Sequence, residues 1–170
     1  KKTFLLLASA LMAVSATAES KIIPIETENV GLVYSVGDNG RLYQRYFGKK
    51  LANAEEYAKL PQGIEAYLTH GMEDYFEPAL HINHADGNQS TLLKYGDSST
   101  TTNADGSVST VISLVDPAYN DEVKMHFTAY PDCDVITTYT EITNNEKKPI
   151  ELEKYASSLF IAEITLFIIQ

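Results

Sequence analysis

The stretch SVSTVISLVDPAYNDEVKMHFTAY, residues 107–130, decides the fold class of this chain. Two runs, Ser107 to Val115 and Glu122 to Tyr130, are rich in β-branched and aromatic residues and flank the dipeptide Asp116-Pro117. Such residues favour a pleated, half-buried surface, and a proline between two such runs indicates a turn. The stretch therefore predicts two strands separated by a short turn.

The same pattern continues on both sides of this stretch. Val30 to Val36 alternates, which predicts a strand with its apolar side chains on one face. Asp38-Asn39-Gly40 predicts a tight turn, because Asn and Gly accept positive φ. Further strands are predicted at Arg41 to Phe47, Ala79 to His84, Thr91 to Tyr95, Val135 to Ile142 and Ile150 to Tyr155. About ten short strands at this spacing indicate an all-β chain folded as an antiparallel sandwich.

Two segments between the predicted strands are interpreted differently. Leu51 to Leu60 contains Ala, Glu, Lys and Leu and is followed by Pro61, so one short helix is expected there. Ser98 to Thr102 is a short polar run that is interpreted as a loop.

The first eighteen residues have the pattern of an export signal. Lys1 and Lys2 precede the apolar run Phe4 to Val14, and Ala16-Thr17-Ala18 is a small-residue cleavage site. The apolar run is too short for a membrane span, which needs about 20 residues. The sequence therefore predicts a signal peptide over residues 1–18 and an exported, periplasmic or extracellular chain that begins at Glu19.

Charge and cysteine content exclude several classes of protein. The 170 residues include 13 basic and 23 acidic side chains, a formal net charge of −10. Nucleic-acid binding needs Lys and Arg to neutralise phosphates, and anionic membranes attract basic segments, so neither partner is expected. The single cysteine, Cys133, excludes an intrachain disulfide. Its acidic neighbours disfavour the thiolate, so an unreactive, partly buried thiol is expected.

Metal ligands and cofactor motifs are not predicted. His81 and His84 are three residues apart in a strand pattern, where an odd separation places side chains on opposite faces. Asp86-Gly87-Asn88 resembles the start of a calcium loop, but no acidic residue follows at the twelfth position. A β-turn is the preferred interpretation, and the chain contains no P-loop, G-x-S-x-G or G-x-G-x-x-G motif.

One acidic pair, Glu73-Asp74, stands apart from the other surface carboxylates. It lies between Gly71 and Pro78 in a stretch that also contains Tyr67, Tyr75 and Phe76. Carboxylates accept hydrogen bonds from sugar hydroxyls, and aromatic rings cover the apolar faces of sugars. The segment is therefore a candidate sugar-binding element, although the chain contains no Trp.

These residues also carry a family resemblance. GMEDYFEPAL at residues 71–80, followed by HADGN at 84–88, resembles the N-terminal domain of glycoside hydrolase family 36 α-galactosidases. In that family a glycine-to-proline segment with an aspartate enters a strand, and a glycine-containing turn follows. Further matches follow in the family's order: LKY at 93–95, the two runs within 108–130, DVIT at 134–137 and ITNN at 142–145. The resemblance covers roughly residues 28 to 160.

The resemblance implies a fold, an activity and a set of partners. It implies an antiparallel β-supersandwich that precedes a (β/α)₈ barrel, in enzymes that release terminal α-linked galactose from oligosaccharides with retention. Both catalytic aspartates lie on the barrel, so no catalytic residue is expected in this chain. The N-terminal domain helps to shape the sugar pocket, partly across a subunit interface, which implies a homo-oligomer. By position, Asp74, Tyr75 and Phe76 become the expected substrate-binding residues. Phe76 stands where the family often has Arg, so a charge contact is lost or replaced by stacking.

The resemblance does not extend to the end of the chain. The family's supersandwich is longer, so residues 19–160 are expected to form its first part, and residues 161–170 are expected to be an aberrant apolar tail. One alternative remains open at this stage: a free-standing carbohydrate-binding or structural β-sandwich without enzymatic activity.

Overall fold

A computed structural model describes residues 21–72 and 77–158. This part of the chain holds nine strands, one short α-helix and one 3₁₀ turn. In chain order they are β1 (Ile22–Glu26), β2 (Val30–Val36), β3 (Leu42–Lys49), α1 (Glu55–Lys59), β4 (Leu80–Asn83), β5 (Lys94–Thr102), β6 (Val108–Val115), β7 (Glu122–Tyr130), the 3₁₀ turn (Pro131–Cys133), β8 (Val135–Thr143) and β9 (Glu151–Tyr155). The all-β prediction is confirmed.

Within the described residues, the strand pairs are all antiparallel and form three sheets. The orders are β1-β2-β3, β4-β9 and β5-β6-β7-β8. The pair β6–β7, predicted from residues 107–130, runs in continuous register from Val108 opposite Ala129 to Val115 opposite Glu122. The turn predicted at Asp38-Asn39-Gly40 joins β2 to β3, and Gly40 adopts a φ of 78° there.

The core lies between the β1–β3 sheet and the β5–β8 sheet. Tyr34 of β2 contacts Phe127 of β7, with ring centroids 5.3 Å apart, and both side chains are fully buried. Two residues of β4, Leu80 and Ile82, are also buried in this core. Burying a side chain of this size contributes about 1.5–3 kcal/mol, so these contacts supply the main force that holds the sheets together.

Strand β2 is buried on both faces, whereas the alternation predicted one apolar face. Val33 is as completely buried as its neighbours Leu32 and Tyr34. The second face is covered by α1, whose Tyr57 reaches Gly31. The Tyr57 hydroxyl donates a hydrogen bond to Glu26 Oε1 at 2.7 Å and accepts one from the Leu51 N–H at 3.0 Å. Burial raises the pKa of Tyr57 to about 12, so this hydroxyl keeps its proton throughout the physiological range.

Gly31 leaves space for the Tyr57 hydroxyl, so alanine at this position is expected to destabilise the protein. A Cβ at residue 31 would lie 2.7 Å from Tyr57 Oη but 3.5 Å from Tyr57 Cζ. Overpacking of this kind costs about 1–3 kcal/mol. We expect Gly31→Ala to lower the free energy of unfolding in urea by this amount.

The double variant Gly31→Ala/Tyr57→Phe is the matched control. Phenylalanine removes the clashing oxygen, so the double variant should lose at least about 1 kcal/mol less than the sum of the two single changes. Additive losses would contradict the proposed contact.

Three local predictions are corrected by the structure. Ser98 to Thr102 is not a loop but part of β5, because its β-branched threonines pair with β6: Thr100 and Thr110 hydroxyls lie 3.1 Å apart. The helix predicted near 51–60 is shorter, since the Asn53 side chain accepts the Glu55 N–H and starts the turn there. Cys133 is exposed rather than partly buried, because it lies in the 3₁₀ turn between β7 and β8.

Other expectations concern parts of the chain outside this description. The signal peptide at residues 1–18 and the tail at 161–170 lie outside the described residues. Within residues 21–72 and 77–158, no helix is long and apolar enough to span a membrane.

Candidate functional site

The segment before β4 is fixed by main-chain hydrogen bonds. The N–H of Ala79 donates to Leu68 O at 2.8 Å, and the N–H of His70 donates to Leu80 O at 2.9 Å. Tyr67 is buried and its hydroxyl donates to Ala156 O, beyond the end of β9, at 2.7 Å. The chain on either side of the predicted sugar-binding element is therefore anchored to the small β4–β9 sheet.

Gly71 permits the sharp change of direction at the start of this element. Its φ is 85°, a conformation that is costly for residues with a side chain. A Cβ at this position would also lie 2.8 Å from Ser90 Cα. A larger residue would therefore displace the chain at the point where it leaves the sheet.

The three predicted substrate-binding residues, Asp74, Tyr75 and Phe76, lie outside the described residues. Their role in sugar binding stays a prediction. After them, Glu77 forms an ion pair with Lys154 of β9, and this contact lowers the pKa of the Glu77 carboxyl. The described residues on either side of residues 73–76 are thus held by contacts with the β4–β9 sheet.

Two histidines lie near these anchoring contacts. The His70 and His81 rings stack with centroids 3.9 Å apart, and His81 Nδ1 lies 3.5 Å from Glu153 Oε2. The other ring nitrogen of His81 is buried and has no hydrogen-bond partner among the described residues. The sequence predicted His81 as a strand residue but gave no indication that its ring stacks on His70, because His70 lies outside any predicted strand.

A second polar cluster is built around His84, immediately after β4. Its Nδ1 lies 2.8 Å from Glu146 Oε1 and 3.6 Å from Asp121 Oδ2, while its Nε2 lies 2.9 Å from Thr91 Oγ1. The imidazole also stacks on the Tyr119 ring at 3.7 Å, nearly parallel. Asp121 immediately precedes β7, and Glu146 follows β8. The two carboxylates therefore lie at the same end of the antiparallel pair β7–β8.

This cluster is buried and rich in negative charge. Burial raises the pKa of Asp121 above its usual range, and the nearby negative charge of Glu146 raises it further. Asp116 is also buried, but its two oxygens accept N–H groups from Leu92, Ala118 and Tyr119. Asp116 therefore shapes the turn, while Asp121 and Glu146 face the imidazole.

His84, Asp121 and Glu146 are the described residues that could hold a metal ion. Sequence reasoning missed them as a group, because it tested His84 only against His81. The His81 and His84 imidazoles indeed contact different residues. The signals in the sequence were that Asp121 immediately precedes the predicted strand at Glu122 and that Glu146 immediately follows ITNN at 142–145.

A cleft of about 530 Å³ lies between β3 and the residues that follow α1. Its lining consists of Gln44, Arg45, Tyr46, Phe47, Leu60, Pro61, Gln62, Gly63 and Ile64. None of these described lining residues is a carboxylate, and glycoside hydrolysis requires a pair of carboxylates. This cleft therefore does not have the composition of a glycosidase active site.

Known proteins resemble this chain in both sequence and fold. Residues 40–165 match the model of the glycosyl hydrolase family 36 N-terminal domain. The curated α-galactosidase Mel36A of Lactobacillus acidophilus is 22% identical to this chain over an alignment 174 residues long. The alignment covers 82% of this chain and 24% of that protein.

Solved structures share the fold. A variant of the GH36 α-galactosidase AgaA of Geobacillus stearothermophilus, crystallised with raffinose, matches 81% of this chain with a TM-score of 0.73 at 18% identity. The α-galactosidase of Lactobacillus brevis matches 81% with a TM-score of 0.68 at 20% identity. The chain covers 24% and 23% of these two structures, so it spans about a quarter of the length of its relatives.

Proposed function

The chain belongs to the glycosyl hydrolase family 36 N-terminal domain family, and from this membership we propose that residues 19–160 serve as the non-catalytic N-terminal domain of an exported α-galactosidase. The enzyme would release terminal α-linked galactose from oligosaccharides by a retaining mechanism. The observation that carries the proposal is the family match over residues 40–165, together with a fold shared with α-galactosidases of about fourfold greater length.

The open side of the sandwich supports a role as one part of a larger protein. Leu152 and Tyr155 of β9 lie opposite the core residues Ile82 and Leu80, yet are 41% and 70% exposed. Paired residues of neighbouring antiparallel strands share a face, so the apolar face of β4 continues onto β9 without cover from the described residues. We propose that the rest of the enzyme packs on this face, and that the domain supports the catalytic barrel and the oligomer.

The segment between Gly71 and Pro78 is the proposed contribution to substrate binding. Main-chain hydrogen bonds of His70 and Ala79 and the Glu77–Lys154 ion pair fix the described residues on either side of the predicted substrate-binding residues Asp74, Tyr75 and Phe76. The raffinose- and stachyose-bound structures are of variants of the Geobacillus enzyme. By extension, an α-galactoside oligosaccharide is the proposed ligand of the intact protein.

Activity assays test the proposal that this domain is non-catalytic. The purified 170-residue chain should not hydrolyse p-nitrophenyl α-galactoside above the uncatalysed rate, because the proposed catalytic aspartates lie on a separate barrel. An intact enzyme that contains this domain should hydrolyse it. Turnover that co-purifies with the 170-residue chain through successive columns would refute the proposal.

Export is a separate part of the proposal and has its own test. Cleavage after Ala18 would release a protein that begins at Glu19. N-terminal sequencing of the protein recovered from the periplasm or medium should start at Glu19. A protein that retains Lys1 in that fraction would contradict the predicted signal.

A further inference from the structure

Three donor atoms from separate turns converge beside the end of β4. His84, Asp121 and Glu146 each offer one donor atom, and these atoms lie within 4.8 Å of one another; His84 Nδ1 lies 3.6 Å from Asp121 Oδ2 and 2.8 Å from Glu146 Oε1. We propose that these three atoms bind a divalent cation of the Zn²⁺ or Mn²⁺ class. The proposal concerns a structural site that ties the turns together, and it does not depend on the proposed enzymatic activity.

Each of the three side chains is oriented by a bond to its other polar atom. His84 Nε2 faces the Thr91 hydroxyl at 2.9 Å. Asp121 Oδ1 accepts the Asn145 N–H at 2.8 Å, and Glu146 Oε2 accepts the Ala85 N–H at 3.3 Å. Groups that bind metals are commonly oriented in this way, with the second polar atom held by a neighbour. When the Nε2–H group donates a hydrogen bond to Thr91 Oγ1, Nδ1 presents a lone pair toward the two carboxylates.

Asp121 Oδ2 is the observation that separates this cluster from an ordinary group of charges. The Asp121 side chain is 1% exposed, and among the described residues this oxygen has no hydrogen-bond partner. A buried carboxylate oxygen without a partner is costly. A cation between Oδ2 and Nδ1, which are 3.6 Å apart, would give Oδ2 the partner that it lacks.

The charge of the cluster also favours a divalent ion. Asp121 and Glu146 together carry two negative charges, and the ion pairs that they form among the described residues are with His84. An imidazolium would offset only one of these charges, whereas a divalent cation would offset both. Buried charges that are not offset are strongly disfavoured.

The spacing and chemistry of the donors fit a first-row transition metal. Ligands that lie about 2.1 Å from a cation are separated by about 3.0–3.4 Å in octahedral or tetrahedral geometry. The observed separations from Nδ1, 2.8 Å and 3.6 Å, bracket this range. One imidazole with two carboxylates suits Zn²⁺ or Mn²⁺, whereas Ca²⁺ takes oxygen ligands. Water would complete the coordination.

Titration calorimetry with ZnCl₂, and separately with MnCl₂, tests the site in the EDTA-treated full chain. We expect one saturable site per chain for at least one of the metals, and a higher melting temperature when it is occupied. Glu146→Gln should weaken binding at least tenfold and abolish the rise in melting temperature. Glu141→Gln is the matched control: Glu141 contacts His126 at 2.6 Å on the surface, and this change should alter affinity less than twofold.

Zinc X-ray absorption of the unmodified chain keeps the test decisive if a variant misfolds. The expected spectrum shows one imidazole with oxygen ligands. Two or more imidazoles would instead place the ion at the stacked His70–His81 pair and overturn the proposal. Absence of saturable binding of both metals, or binding unaffected by Glu146→Gln, would also overturn it and leave a hydrogen-bonded cluster that joins three turns.

Discussion

Replacing Asp74 with alanine in the intact enzyme is expected to raise KM for an α-galactoside by roughly ten- to a hundredfold and to leave kcat nearly unchanged. A carboxylate that accepts hydrogen bonds from sugar hydroxyls contributes about 1.5–3 kcal/mol, because charge-assisted bonds are the stronger class. A contact at the pocket rim acts equally on bound substrate and transition state, so its loss changes KM rather than kcat. Steady-state kinetics on a natural oligosaccharide and on the p-nitrophenyl substrate measure both constants.

The neighbouring acid provides the control for this experiment. Glu73→Ala removes the carboxylate adjacent in sequence and should leave KM within about twofold of the unmodified enzyme. Asp74 could instead cap the turn that precedes β4. In that case Asp74→Ala would lower the melting temperature with an unchanged KM, and the pocket assignment would be wrong.

A double change on β9, Leu152→Asp with Tyr155→Asp, is expected to destabilise the intact enzyme severely and the isolated chain only slightly. In the described residues the two side chains are largely exposed, so charges there should cost the isolated chain less than about 1 kcal/mol. If the rest of the enzyme covers this face, the same change removes two buried apolar side chains and buries charge. The loss should then exceed about 3 kcal/mol.

Apparent melting temperature and soluble yield, measured for both proteins, give the comparison. Thr101→Asp on the exposed strand β5 is the control for introducing a charge, and it should be tolerated in both. Equal effects of the β9 double change in the intact enzyme and in the isolated chain would show that nothing packs on this face.

Strand positions were largely predictable because alternation and turn residues are local properties. The runs that became β6 and β7 matched the structure to within one residue, and the turn at Gly40 was correct. The second buried face of β2 was not predictable, because it depends on Tyr57 of α1 reaching across to Gly31. The strand at Ser98 to Thr102 was missed because its polar composition reflects solvent exposure, while its pairing with β6 is set by the partner strand.

The sequence did not predict that His84, Asp121 and Glu146 lie together. Asp121 and Glu146 lie in turns whose mutual distance is set by the order β6-β7-β8, and His84 joins them only because β4 ends nearby. Asp134 behaves similarly. The sequence marked it as a neighbour of Cys133 and as the first residue of DVIT at 134–137, but gave no sign of its contacts. Asp134 accepts hydrogen bonds from Thr27 and Asn29 and joins the β7–β8 turn to the β1–β2 turn. These hydrogen bonds lower the pKa of Asp134 below its usual range.

The central claim is that this chain acts as the N-terminal domain of a longer α-galactosidase. The most direct test is to capture the native protein from cells that make it, with an antibody raised against residues 21–158, and to measure its mass and its hydrolysis of p-nitrophenyl α-galactoside. The expected result is a polypeptide about four times the length of this chain that carries the activity, and both mass and activity should be depleted from the extract together. Recovery of a product no larger than 18.8 kDa, with the activity left behind in the extract, would contradict the claim and favour a free-standing β-sandwich.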